Sequence, residues 1–144
     1  VIGRARRIAL AVLALSGLFV GAWALFAPHS FWTSFPGFGH HWTMAAGLYD
    51  EHLVTDVGAA YLALTALALL ALRWGDRRVG QATGIVWTVF SGPHLYFHAR
   101  HLDGLTGVDK VAELGSLTAT LLIAVWLALP AGVGRATSPG FEAR

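Results

Sequence analysis

Apolar residues fill four stretches of the chain, 8–26, 52–72, 79–98 and 108–129, and most charges fall between them. Each stretch runs about 20 residues, which at about 1.5 Å per residue matches the roughly 30 Å hydrocarbon core of a bilayer. The first two are the most uniformly apolar. The third and fourth carry Gln81, Thr83, Thr88, Ser91, Ser116, Thr118 and Thr120, so they read as helices with one polar face turned toward partner helices. The pattern predicts an all-α fold, a four-helix transmembrane bundle over residues 1–131. A mobile cytoplasmic tail is expected over 132–144, and Gly58, Ala59, Gly84 and Gly115 are expected at close helix contacts.

Composition agrees with the pattern. Hydrophobic residues make up 56% of the 144, charged residues only 12%, and the mean hydropathy is +0.59, values outside the range of an ordinary soluble domain. Basic residues set the orientation. Arg4, Arg6, Arg7, Arg73, Arg77, Arg78, Arg135 and Arg144 fall on one side of the spans, against Arg100 and Lys110 on the other. The positive-inside rule therefore places both termini in the cytoplasm and the 27–51 and 99–107 loops outside. The pI of 9.5 follows from this anchoring, and nucleic acid is not an expected partner. The first span is longer than a secretory signal core, and Ala27-Pro28-His29 makes a poor cleavage site, so it is expected to remain as a helix. A first residue other than Met, Val1, is expected of a trimmed chain. The sequence has no cysteine, which excludes disulfides, thiolate metal sites, Fe–S clusters and covalent c-type haem.

Two hairpins are discernible. Phe26-Ala27-Pro28-His29 resembles Gly92-Pro93-His94 with its flanks, and His52-x3-Asp56-Val57-Gly58 resembles Asp109-x3-Glu113-Leu114-Gly115. The echo fits two pseudo-repeated helical hairpins related by an axis along the membrane normal, with an insertion in the first. The first hairpin also contains the 27–49 loop, carrying Phe31, Trp32, Phe35, Phe38, Trp42 and Tyr49. Such aromatic density suits either a loop lying in the headgroup region or a lid over a pocket open to lipid.

All seven histidines, His29, His40, His41, His52, His94, His98 and His101, fall on the outer side, with Asp50, Glu51, Asp56, Asp103, Asp109 and Glu113. Residues four apart share a helix face. His52 with Asp56, His94 with His98, and Asp109 with Glu113 are thus three stacked pairs at matching depth, and His101 extends the second of these. His29, His40 and His41 read as solvated loop residues. Asp50, Glu51 and Asp109 are explained by helix N-termini. Asp56 and Glu113 lie inside apolar spans, where an ionisable group is costly unless paired or functional. For Asp56 the structural alternative is a pairing with His98 or Arg100. Pro93 is expected to bend the third helix beside a cavity.

The run Tyr49-Asp50-Glu51-His52-Leu53-Val54-Thr55-Asp56-Val57-Gly58, continuing through Ala59-Ala60-Tyr61-Leu62-Ala63-Leu64, resembles a segment of small four-span membrane proteins of actinobacteria. The stretch 94–104 is its other distinctive part. The resemblance implies a four-helix membrane protein from a high-GC bacterium and implies no activity.

Three classes of function are open at this stage. The leading expectation is a cell-membrane protein with an extracytoplasmic metal site for Zn, Cu or Fe, built from His52, Asp56, His94, His98, Glu113 and His101. Asp56 or Glu113 would serve as catalytic base toward a lipid-soluble substrate, with Tyr61, Trp42 and Trp87 along its approach. The first alternative is a haem b or quinone-linked electron-transfer protein with histidine ligands on two helices. The second is a scaffold or a proton- or ion-transport subunit, which four spans would support best as a homo-oligomer.

Overall fold

The computed structural model describes residues 1–130, so the expected tail over 132–144 lies outside the described residues. Four long helices occupy the four apolar stretches: α1 (Arg4–Phe26), α4 (Glu51–Trp74), α5 (Arg77–Arg100) and α6 (Gly107–Ala128). Between α1 and α4 lie two short helices, α2 (Pro28–Ser34) and α3 (Trp42–Ala45), and the two-residue strands β1 (Pro36–Gly37) and β2 (His40–His41). The strands pair antiparallel, with Pro36 opposite His41 and Gly37 opposite His40. Among the described residues, α1, α4 and α6 are long and apolar enough to cross a membrane. The structure is thus predominantly α-helical, and the expected third span, α5, is as long as α4 but more polar.

The boundaries have local causes. Asp50 caps α4 by accepting the Leu53 N–H at 3.0 Å. The chain then turns on two residues rather than the six expected: Gly75 closes α4 in the left-handed region at φ 65°, and Asp76 opens α5 by accepting the N–H groups of Arg78 and Val79. Thr106 caps α6 by accepting the Asp109 N–H at 3.1 Å, while its hydroxyl donates to Asp109 Oδ2 at 2.7 Å. Pro93 sits inside α5 without ending it.

The long helices alternate in direction and form two close antiparallel pairs, α1 on α4 and α5 on α6. Glycines permit both contacts. A Cβ on Gly58 would lie 2.5 Å from the Leu25 backbone nitrogen, one on Gly17 would lie 2.5 Å from Thr65 Oγ1, and one on Gly84 would meet the Leu127 and Ala128 backbone. Ala59 and Gly115 depart from expectation. Ala59 is exposed, and nothing lies within 4 Å of the position a Gly115 Cβ would take, because each is rotated away from the helix facing it.

At one end of the bundle, here the turn end, the Ile2 N–H donates to the Gly75 carbonyl at 3.1 Å. There Arg6 Nη1 donates to the Leu127 carbonyl at 3.0 Å, Arg6 Nη2 to that of Leu129 at 2.7 Å, and Arg7 to that of Leu72 at 3.3 Å. Arginines placed by sequence as topology signals thereby also satisfy the open carbonyls of two helix C-termini. The tightest core lies near this end, around Leu10, Leu13, Ala68, Ala71, Thr83, Trp87, Ala124 and Leu127. Toward the other end, the loop end, the helices part around a cavity covered by α2, the strand pair and α3.

Candidate functional site

The cavity has a volume of about 580 Å³ and takes walls from all four long helices and from the loop. Its surface is mainly apolar. Trp87, completely buried and donating to the Leu64 carbonyl at 3.3 Å, forms the deep end with Tyr61. Phe31, Trp32, Phe35 and Trp42 form the cover. This arrangement matches the lid alternative for the loop. Phe31 and Phe35 pack ring to ring at 4.7 Å and continue into Trp23 and Phe19 of α1, so a hydrophobic cluster holds the cover onto the first helix.

Ser16, Thr43 and Asp50 are among the polar lining residues, and a compact polar group comes from facing turns of α5 and α6. His98 Nδ1 and Glu113 Oε1 lie 2.7 Å apart, and their side chains are 13% and 4% exposed. His94, one turn deeper on α5, packs edge-on against His98 with ring centroids 4.6 Å apart. Its Nε2 is 3.4 Å from the Tyr61 hydroxyl on α4, and its ring stacks on Phe90. Tyr61, His94, His98 and Glu113 thereby form a continuous polar track across three helices. The second carboxyl oxygen, Glu113 Oε2, is buried and has no hydrogen-bond partner among the described residues. A buried polar atom in that state costs roughly 1–3 kcal/mol until something satisfies it.

Above this track, Asp109 fastens the cover to α6. Its Oδ1 accepts from Trp42 Nε1 at 2.9 Å and lies 2.6 Å from His40 Nδ1. His40, expected to be a solvated loop residue, is therefore an anchor of the lid. Asp109 both completes a helix cap and holds the loop, where the sequence suggested a helix N-terminus or a stacked pair with Glu113.

Three of the six expected ligand residues come together, His94, His98 and Glu113; the other three do not join them. His52 and Asp56 pair with one another at 3.1 Å as their spacing predicted, but their side chains are 86% and 64% exposed on the outer face of α4. Asp56 bonds neither His98 nor Arg100 in the way the structural alternative supposed, because its position on α4 faces away from α5. Arg100 instead donates to the Tyr96 hydroxyl at 3.2 Å. His101 ends α5, where its Nδ1 lies 2.8 Å from the Phe97 carbonyl and its ring stacks on Phe97, outside the cluster. Among the described residues, no group of three or more His, Asp or Glu side chains is disposed to hold a metal ion.

Trp42, Tyr61 and Trp87 all line the cavity, as expected. Sequence reasoning did not single out Phe97 or the glycines Gly17 and Gly21. A Gly-x3-Gly spacing in α1 was the available signal for the two glycines. Comparison with protein-family models, curated proteins and solved structures returns no match to this chain.

Proposed function

We propose that the chain is a four-span membrane protein whose loop-end cavity binds a lipid-soluble molecule, with the His98–Glu113 pair exchanging a proton with its polar head. The membrane part rests on chain direction. α4 ends at the turn end beside Ile2, and α6 begins at the loop end, where Asp109 meets Trp42 and His40. α5 therefore travels the full length of the same slab as the three apolar helices. Its polar residues point inward, with Thr83 and Ser91 buried and Gln81 bonded to the Ala128 carbonyl, which supports a span shielded by its partners. The basic residues then make the turn end cytoplasmic and the cavity extracytoplasmic.

The observation that carries the ligand reading is Glu113 Oε2: a buried, unpartnered oxygen at the wall of an aromatic-rich cavity, next to a histidine. Ligand sites characteristically combine such apolar walls with a few convergent polar groups. The metal reading has less support, because His52 and Asp56, two of its expected ligands, face outward and His101 stands outside the cluster.

The test is purification in mild detergent without metal-affinity resin, followed by organic extraction with mass spectrometry, elemental analysis and an optical spectrum. A small lipid-soluble compound near one equivalent per chain, reduced several-fold in His98→Ala, is the expected result. Retention of about one equivalent of Zn, Cu or Fe that His98→Ala abolishes would replace this reading with the metal site. A Soret band would replace it with haem b.

A further inference from the structure

The class of molecule follows from the hydrogen bonding of the His98–Glu113 pair, and this step rests on the cavity being a ligand site. The 2.7 Å contact between His98 Nδ1 and Glu113 Oε1 holds one hydrogen. If that hydrogen is on nitrogen and Glu113 is a carboxylate, Oε2 is an acceptor. If it is on Oε1, Oε2 is the carbonyl oxygen of a carboxyl group and is an acceptor still. With one hydrogen in the pair, Oε2 is a buried acceptor with no partner among the described residues, on a residue that lines the cavity; a second hydrogen placed on Oε2 would make it a donor and reverse the preference between donor and acceptor ligands.

An occupant that completes the one-hydrogen pair must bring an O–H or N–H to Oε2. A ketone or quinone offers only acceptors, so it would set oxygen against oxygen. The cavity also constrains what carries the donor. The rings of Phe31, Trp32, Phe35 and Phe97 line it, and such walls favour a flat ring through offset and edge contacts. A neutral hydroxyl enters such a space without the desolvation cost of an ammonium group.

We infer that the buried acceptor and aromatic walls select a lipid-soluble aromatic alcohol, a phenol or hydroquinone with an apolar tail, over the matching quinone. Satisfying Oε2 corresponds to about tenfold in affinity.

The experiment is anaerobic calorimetric titration of the full chain in lipid nanodiscs with three probes: a decyl-substituted hydroquinone, the corresponding quinone and decylammonium. The parent protein is expected to bind the hydroquinone at least about tenfold more tightly than the quinone. Glu113→Gln, whose amide can turn an N–H toward a quinone oxygen, should narrow that gap. Leu117→Trp, which fills the cavity from α6, should abolish binding of both ring compounds and serves as the second variant if Glu113→Gln does not fold. Equal or tighter quinone binding by the parent overturns the inference, as does decylammonium as the tightest ligand or a gap unchanged in folded Glu113→Gln. The two readings fail separately. A co-purifying lipid of another class without hydroquinone preference overturns only this inference, whereas no co-purifying compound and no binding of any probe overturns the ligand site itself.

Discussion

At the scale of single residues, burial rather than spacing separates working pairs from incidental ones. His52–Asp56 and Asp109–Glu113 share the i, i+4 pattern, yet the first pair is exposed and Glu113 is 3% exposed. An exposed pair of this kind contributes little, whereas removing His98 would strip the buried Glu113 of its partner and destabilise the fold. The best-defined charge effect outside the spans is at Asp76. Hydrogen bonds from the Val79 and Arg78 backbone N–H groups hold its carboxyl below the usual carboxylate range. A depressed folded-state value means stabilisation that is complete above the unfolded-state value and lost as pH falls through the folded one. Asp76→Ala is therefore expected to lower Tm by a few degrees at neutral pH, with the gap to the parent closing under acid conditions. Thermal unfolding of both proteins in the same detergent across pH checks this; a gap that widens in acid would contradict the capping role.

At the scale of elements, the hydrophobic pattern located all four long helices to within a few residues, because about 20 apolar residues leave the backbone few alternatives to a helix. It did not resolve which way each helix faces. Gly58, Gly84 and Gly115 are equivalent as small residues in apolar runs, but only Gly58 and Gly84 lie against a neighbouring backbone. The rotation of α6 that buries Glu113 leaves Gly115 without a neighbour, and this depends on the partner helix rather than on the local sequence. The same limitation applies at the site, where α4 is rotated to present Tyr61 inward and His52 and Asp56 outward. The loop was legible as aromatic, with a lid as one of two readings, but its fastening was not, since the bond from Trp42 to Asp109 joins residues 67 apart in sequence. Two substitutions test the packing. Gly84→Val should destabilise the α5–α6 pair by several kcal/mol through backbone overlap. Gly115→Ala should be neutral or stabilise by about 0.5–1 kcal/mol through helix propensity. Denaturation in mixed micelles reads both, and equal effects at the two positions would refute the packing assigned to α5 and α6.

At the scale of the whole molecule, α5 decides the architecture. It is the least apolar long helix, and among the described residues α1, α4 and α6 alone satisfy a simple length and hydropathy requirement for crossing. Its partners account for this composition, since a helix whose polar residues bond to neighbours does not present them to lipid. If α5 crosses, the loop-end segments around Phe38 and Asp103 share one side of the membrane, and the turn end around Trp74 is on the other. If it does not, Asp103 and Trp74 share a side. The absence of cysteine from the sequence makes the parent a ready background for single-cysteine labelling. Phe38, Trp74 and Asp103 are exposed, so replacement at each should leave the core intact. In intact cells, a membrane-impermeant maleimide is expected to label Phe38→Cys and Asp103→Cys, and to label Trp74→Cys only after permeabilisation. Labelling of Asp103→Cys and Trp74→Cys from the same side would remove α5 from the membrane. It would also leave His94 and His98 without the apolar surroundings on which the proposed site depends.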